Sequence, residues 1–409
     1  MPKDFKKLML ARLLFTFAVQ MQAVVVGWQI YELLLDPLAL GLVGLAEAVP
    51  ALGLALYAGH IVDRSRSLLV YRRVIFVSLI SGLLIYISQI FKAKLGVQGQ
   101  VIALYAASFL TGTARAFSQP AMYASVPRIL ARKDLSQASA WMSGCIQIGR
   151  IGGPAVGGVL FGWFGLKMTA LAICTLLLAG MLSISLMSVL NLMPLEANIS
   201  KDVKVKENFF SGVSFVYKHP LLLPALSLDM FSVLFGSVVA LLPIYCKEIL
   251  FLGPKGLGIL RAAPSIGAIV VSFILARYFN LKKRAGSYLL WSVAGFGVCI
   301  LVFAVSRNFT LSLVALALSG AFDSVSMVVR TAILQLSSPA EMRGRISAVN
   351  SIFVGSSNEI GEFESGLAAK LLGTVPSAIF GGVMCLVTVA VVGLVSPSLR
   401  KMNIESLES

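Results

Sequence analysis

Charge is what this sequence has least of. Asp, Glu, Lys and Arg make up 13% of its 409 residues, hydrophobic residues 58%, and the mean hydropathy is +0.89. Soluble domains carry about twice that share of charge, so the composition excludes a water-soluble globule and implies an integral membrane protein. Histidine is scarcer still. His60 and His219, both near loops, leave no imidazole set for a metal site. The five cysteines (Cys145, Cys174, Cys246, Cys299 and Cys385) stand singly in apolar runs. They read as small buried hydrophobes, with neither a disulfide framework nor metal-ligand spacing. Also missing are a phosphate-binding glycine loop and a nucleophile with a base at useful spacing. Those absences argue against an enzyme, against a cofactor and against ATP drive within this chain. No long polar region remains for a separate soluble domain.

What is present is a series of apolar runs long enough to cross a bilayer as helices. Twelve are expected, near 8–31, 39–59, 69–90, 101–122, 138–162, 168–189, 221–242, 256–276, 286–305, 311–335, 346–373 and 377–395. The net charge of +16 invites a nucleic-acid reading, so the placement of the basic residues matters. With the amino terminus inside, 22 Lys and Arg fall in cytoplasmic segments, seven in external loops and five inside helices. That is the positive-inside bias, and it places both termini in the cytoplasm. No basic stretch is interleaved with aromatics, so a nucleic-acid partner is not expected. The opening MPKDFKKLML resembles the basic part of a signal peptide, but the apolar run after it is too long and no small-residue cleavage site follows. It reads as the start of the first span.

The chain repeats itself. A shift of 208 residues aligns Leu110–Gly165 with Leu318–Gly373 without a gap, matching Gly112 with Gly320, Ser118 with Ser326, Gly153 with Gly361 and Gly165 with Gly373. Earlier in each half the shift is 214 and pairs Gly44 with Gly258, Pro50 with Pro264 and Gly53 with Gly267. Two parallel six-helix halves follow, 1–190 and 221–409, joined by a linker over 191–220. Within that linker Phe209, Phe210, Val213, Val216 and Tyr217 fall at helical spacing, as in a helix lying in the membrane interface. Two such halves with a site between them is a transporter design.

Two motifs sharpen this. GHIVDRSR follows the second span, with Gly59, Asp63, Arg64 and Arg66; Gly59 suits a tight turn at the helix end. Asp63 suits acceptance from amides at a helix amino terminus, and the arginines suit bridging. In the fifth span GRIGGPAVGG places Gly149, Gly153 and Gly157 four apart, which bares one helix face for close approach. Pro154 permits a bend, and Gly158 closes the run. Over essentially its whole length the sequence resembles the major facilitator superfamily, the first motif its loop signature and the second its antiporter signature. Ala140 stands where the full antiporter pattern has an earlier glycine, and Arg277 stands where the second half would repeat Asp63. The resemblance implies an all-α fold of twelve transmembrane helices in two pseudo-symmetric bundles. It also implies that the loop cluster locks the cytoplasmic side and that the first, fourth, seventh and tenth helices line the central cavity.

Charges inside the spans are costly and so are candidate functional groups. Ser319, Asp323, Ser326 and Arg330 form one stripe at i, i+4, i+7 and i+11 of the tenth span. Its repeat partners include Thr111, Arg115 and Ser118. Arg115 and Asp323 are repeat-equivalent and opposite in sign, and are expected to face one another across the pathway. Glu47 and Arg261 form a second equivalent, opposite pair, and Asp229 lies in the seventh span. In the eleventh, GSSNEIGEFESG carries Glu359 and Glu362 on neighbouring surface and Glu364 roughly opposite. One or more of these carboxylates is expected to titrate during transport, with a static salt bridge as the alternative. Arg12 and Arg150 read as snorkelling to the interface.

Met342–Gly366 and the run VGWQIYELLLDPLALGLVGLAEAVP resemble the branch of the superfamily that holds the enterobactin exporter and macrolide-efflux-like proteins. That resemblance implies a monomeric, proton-coupled antiporter in the bacterial inner membrane. It would export a siderophore or drug-like small molecule by alternating access, with the proton gradient as its energy source. Import or lipid transport on the same fold is the other reading.

Overall fold

The protein was analysed as a computed structural model that describes residues 2–131, 134–188, 213–278, 284–339 and 342–403. In chain order the long helices are α1 (Lys3–Leu34), α2 (Pro37–Asp63), α3 (Ser67–Ile90), α4 (Lys92–Ser125), α5 (Leu135–Ser185), α6 (Leu222–Phe235) and α7 (Pro254–Tyr278). They are followed by α8 (Ala285–Val305), α9 (Phe309–Ser337), α10 (Arg343–Leu372), α11 (Thr374–Val395) and the short α12 (Pro397–Arg400). Every expected span is helical over most of its described residues. Among the described residues, ten helical stretches meet the length and hydropathy needed to cross a membrane. The 51-residue α5 covers two expected spans, and α10 is helical but too polar to count among the ten.

Local chemistry explains the ends. Asp36 caps α2 by accepting from the Leu38 amide at 2.9 Å, with Pro37 at the first helical position; Asn308 caps α9 through the Leu311 amide at 3.1 Å. The repeat-equivalent Gly165 (φ 73°, ψ 179°) and Gly373 (φ 95°, ψ 157°) both make turns that residues with a Cβ avoid. The first breaks α5 into two arms, the second separates α10 from α11. The seventh span is not continuous: α6 stops at Gly236, and the chain passes through Val238–Leu241 and Leu242–Ile244 into a π-helical turn at Tyr245–Ile249. The expected tight turn at Gly59 is absent. α2 runs through Gly59 to Asp63, and the chain turns at Arg64 and Ser65, whose amides bond to His60 and Val62 carbonyls.

The chain separates into two compact units, Met1–Asn198 with Leu242–Ala262, and Ile199–Leu241 with Ala263–Ser409. In the first, α1 lies along α5, α3 packs on α4 and α5, and α2 packs on α4. Its core gathers Phe5, Phe15, Tyr71, Ile75, Met122 and Ile173, with Phe15 and Tyr71 edge to face at 6.1 Å. In the second, α8 packs on α9 and α11, while α10 and α11 pack on α6. Leu222, Leu226, Leu289, Ile333, Ile346 and Leu399 form its core. Most of the linker lies outside the described residues, including Phe209 and Phe210. Its end, 213–218, is helical and buries Val216 in the second unit's core.

Because α6 begins beside this helix, its free amides need a partner. His219 Nδ1 accepts from the amides of Leu221 (3.2 Å) and Leu222 (3.3 Å), which requires a neutral imidazole. Burial also holds the His219 pKa below its ordinary value of 6.5. With the folded pKa depressed, the cap's stabilisation is complete above about pH 6.5 and is lost as pH falls through the folded value. Thermal unfolding in detergent should therefore show an acid-side loss of stability that shrinks in His219→Asn, which keeps an acceptor but does not titrate. Gly165→Ala and Gly373→Ala should each cost about 1–3 kcal/mol in the same assay, from backbone strain alone.

Candidate functional site

Each unit buries a set of polar and charged side chains between its helices. In the first, Gln22 of α1 donates to Ser81 of α3 and to Thr111 of α4, both at 2.8 Å; all three are buried. Nearby on the same helices, Arg12 is 6% exposed and donates to Ser118 Oγ at 2.7 Å. The expected snorkelling of Arg12 is therefore wrong: its guanidinium turns inward, because Ser118 offers an acceptor where the lipid offers none. Arg150, by contrast, is exposed. Glu47 of α2 accepts from Arg115 Nη1 of α4 at 2.8 Å, so both members of that pair come from the first half. Asp323, the repeat partner of Arg115, is exposed on α9 and belongs to the second unit.

The glycines of the antiporter-like segment have a direct packing role. A Cβ on Gly153 would stand 2.8 Å from the Phe17 carbonyl oxygen, and one on Gly157 3.0 Å from Met21 Cα. Gly149 meets Thr16 in the same way, so this face of α5 lies against α1. Gly158 turns elsewhere, toward Gly258 in the Leu242–Ala262 segment that packs with this unit; a Cβ there would approach Gly258 Cα at 2.8 Å. Pro154 is buried within the helix. In the second unit Gly361, the repeat partner of Gly153, lies against the Leu234 carbonyl of α6, 2.7 Å from where its Cβ would be. Of the loop motif, Arg64 is exposed and Arg66 precedes α3. The side chain of Asp63 lies outside the described residues.

The second unit holds the strongest electrostatic feature. Asp229 of α6 and Arg330 of α9 form an ion pair in which each side chain is 7% exposed. Both residues were candidates from the sequence, but as separate groups. Their 101-residue separation hid the pairing. Ser319, Ser326 and Arg330 are buried on α9 while Asp323 is exposed, so the stripe read from spacing divides between two environments. On α10 Glu359 is buried, and Glu362 and Glu364 are half-buried. Cys385 of α11 donates to the Ser232 carbonyl of α6 at 3.1 Å, which ties the helix after the glutamates to the helix of Asp229.

Sequence reasoning missed the contacts that Leu242–Ala262 makes in the first unit. Tyr31 of α1 donates to Glu248, Lys247 lies 5.8 Å from the Tyr31 ring centre, and Lys255 lies 4.6 Å from that of Trp163. The signal was available only in part, as aromatics and cations near span ends.

The sequence pattern of the transmembrane secretion effectors (MFS_3) matches residues 2–409. The chain belongs to this family. Among curated relatives, the enterobactin exporters EntS of Escherichia coli O1:K1 / APEC and of Shigella boydii serotype 18 are each 24% identical over 303 residues, 74% of this chain and 71% of theirs. The fold is similar to solved structures of the nucleoside transporter NupG (12% identity, TM-score 0.73, 97% of this chain and 100% of that one) and of the peptide transporter POT (12%, 0.75, 98% and 96%). A bacterial homologue of the iron transporter ferroportin in an inward-facing state is similar at 15% identity and TM-score 0.71, covering 98% and 99%. This secretion effector is thus a multi-pass membrane protein with the major facilitator fold, a secondary transporter and not an enzyme, and it has bacterial homologues.

Within this family member, the Asp229–Arg330 pair makes a sharp prediction. Asp229→Asn leaves a buried guanidinium without its counter-ion and should cost about 3–5 kcal/mol in detergent unfolding. The double variant Asp229→Asn, Arg330→Gln removes both charges and should recover most of that loss.

Proposed function

We propose that this secretion effector is a proton-coupled antiporter that exports an amphipathic small molecule, of siderophore or drug-like type, across the bacterial inner membrane. The observation that carries the reading is the set of ionisable groups buried in the second unit's membrane-spanning helices: the Asp229–Arg330 pair with Glu359 of α10. Charge at that depth costs several kcal/mol and persists only where it has a partner or a task. A carboxylate that accepts a hydroxyl or cationic group of a cargo can hold a proton instead. The two occupants then exclude each other, which is the requirement for exchange. Arg330 and Arg115 supply attraction for an anionic or catecholate portion of the cargo.

In this reading the halves 1–190 and 221–409 alternate about a midplane site as a monomer, with both termini in the cytoplasm, protons returning inward as cargo leaves. Asp323, Glu359, Glu362 and the Glu47–Arg115 pair are the groups assigned to proton or cargo handling. Support comes from the secretion-effector family and from the distant likeness to enterobactin exporters. The loop residues Gly59, Asp63, Arg64 and Arg66 are assigned to the cytoplasmic gate.

Purified protein in proteoliposomes loaded with catecholate siderophores or cationic dyes, given a pH step, tests this directly. Expected is release of at least one compound against its gradient when protons flow the other way, abolished by an uncoupler. Asp323→Asn and Glu359→Gln should each slow coupled flux by at least about tenfold if they carry the proton. Cargo moving in the same direction as protons would replace export with import, and flux indifferent to pH would remove the coupling.

A further inference from the structure

The second unit carries a cationic groove away from the transport residues. It is an open cavity of about 610 Å³ lined by Arg284, Ser287, Arg400, Lys401 and Asn403. Among the described residues that line it, three of the five side chains are cations and none is a carboxylate.

The groove is a built feature. α8 starts immediately after Arg284, and α12 ends at Arg400, so two helix ends meet here. Leu399 and Met402 are 0% and 6% exposed and anchor the terminal segment in the core, which leaves Arg400 and Lys401 between two anchors and facing outward. Gly286 fixes the approach: its amide donates to the Met402 carbonyl at 3.3 Å, and a Cβ at Gly286 would collide with the Leu399 carbonyl. Ser287 Oγ donates to the Arg400 carbonyl at 3.3 Å. The backbone is therefore pinned while the cationic tips remain exposed. The amino-terminal end of α8 adds positive potential of the same sign.

Fixed backbone, exposed guanidinium and ammonium groups lining one groove, and a place beside the ends of membrane-spanning helices together match the chemistry of a phosphate monoanion or dianion. We propose that this groove binds a phosphate-bearing anion at the membrane face, as an anionic phospholipid headgroup or free phosphate supplies. It is separate from the cargo path and stands whether or not the export reading holds.

The test uses the full chain in nanodiscs of phosphatidylcholine containing phosphatidylglycerol or cardiolipin, with retained lipid counted by native mass spectrometry. Anionic lipid should be retained over phosphatidylcholine, and Arg284→Gln, Arg400→Gln and Lys401→Gln should each weaken retention about fivefold. Arg400→Lys with Lys401→Arg conserves charge and should keep it, which separates binding from misfolding. Inorganic phosphate added without lipid distinguishes the sources. Protection from unfolding by phosphate at millimolar level, lost in the Gln variants, assigns a free anion; retention of lipid alone assigns a headgroup. Equal retention by wild type and the triple Gln variant overturns the proposal. So does anionic-lipid binding seen only after truncation behind Asn403, because the chain's own Glu405 and Glu408 would then be the occupant.

Discussion

A charge inside a membrane-spanning helix must find a partner, and that requirement organises the inner surfaces of this protein. Lipid supplies no hydrogen bonds and little dielectric relief. Asp229 answers with Arg330, Glu47 with Arg115, and Arg12 with Ser118. Each partnership joins different helices of one unit, so satisfying a charge also fixes a helix pair. The neutral network of Gln22, Ser81 and Thr111 does the same without ionisation. Polar groups therefore act as adhesive between helices, and some of them are also the candidate machinery.

Packing in the membrane cannot draw on the hydrophobic effect between helices, so close approach takes its place. The glycines of α5 let α1 lie against their backbone, and Gly361 lets α6 approach α10. These contacts leave the antiporter-like segment with a complete structural explanation on one face. Gly158, directed at Gly258 instead of α1, is the member of the motif that reaches a segment from the second sequence half. Any movement of Leu242–Ala262 has to begin by parting that contact, together with the Tyr31–Glu248 hydrogen bond and the Lys255–Trp163 stack.

Much of the fold was legible because membrane helices announce themselves by length and hydropathy. Each of the twelve spans is helical over most of its described residues, and Gly165 and Gly373, matched by the repeat, both turn the chain in conformations reserved for glycine. Less was legible where a span departs from uniform helix. In the run from 221 to 242 the only local mark of the break after Phe235 is Gly236–Ser237, a weak signal inside a stretch whose hydropathy stays high on both sides. The turn expected at Gly59 fell at Arg64 and Ser65 instead, since a glycine inside a helix is tolerated when the next residues keep the hydrogen-bond ladder. At the candidate site the residue types were legible, and their pairings were not.

By itself the sequence determined that this is a helical membrane protein whose resemblance pointed to a transporter, and which few charged residues lie in its apolar spans. Hydropathy and spacing are local quantities, and both can be read along one chain. Only the tertiary structure decided that Arg330 belongs to Asp229, that Arg115 is bound by Glu47, and that Arg12 points inward. Those choices depend on distances between helices far apart in sequence, where one helical step around an axis exchanges a counter-ion for lipid.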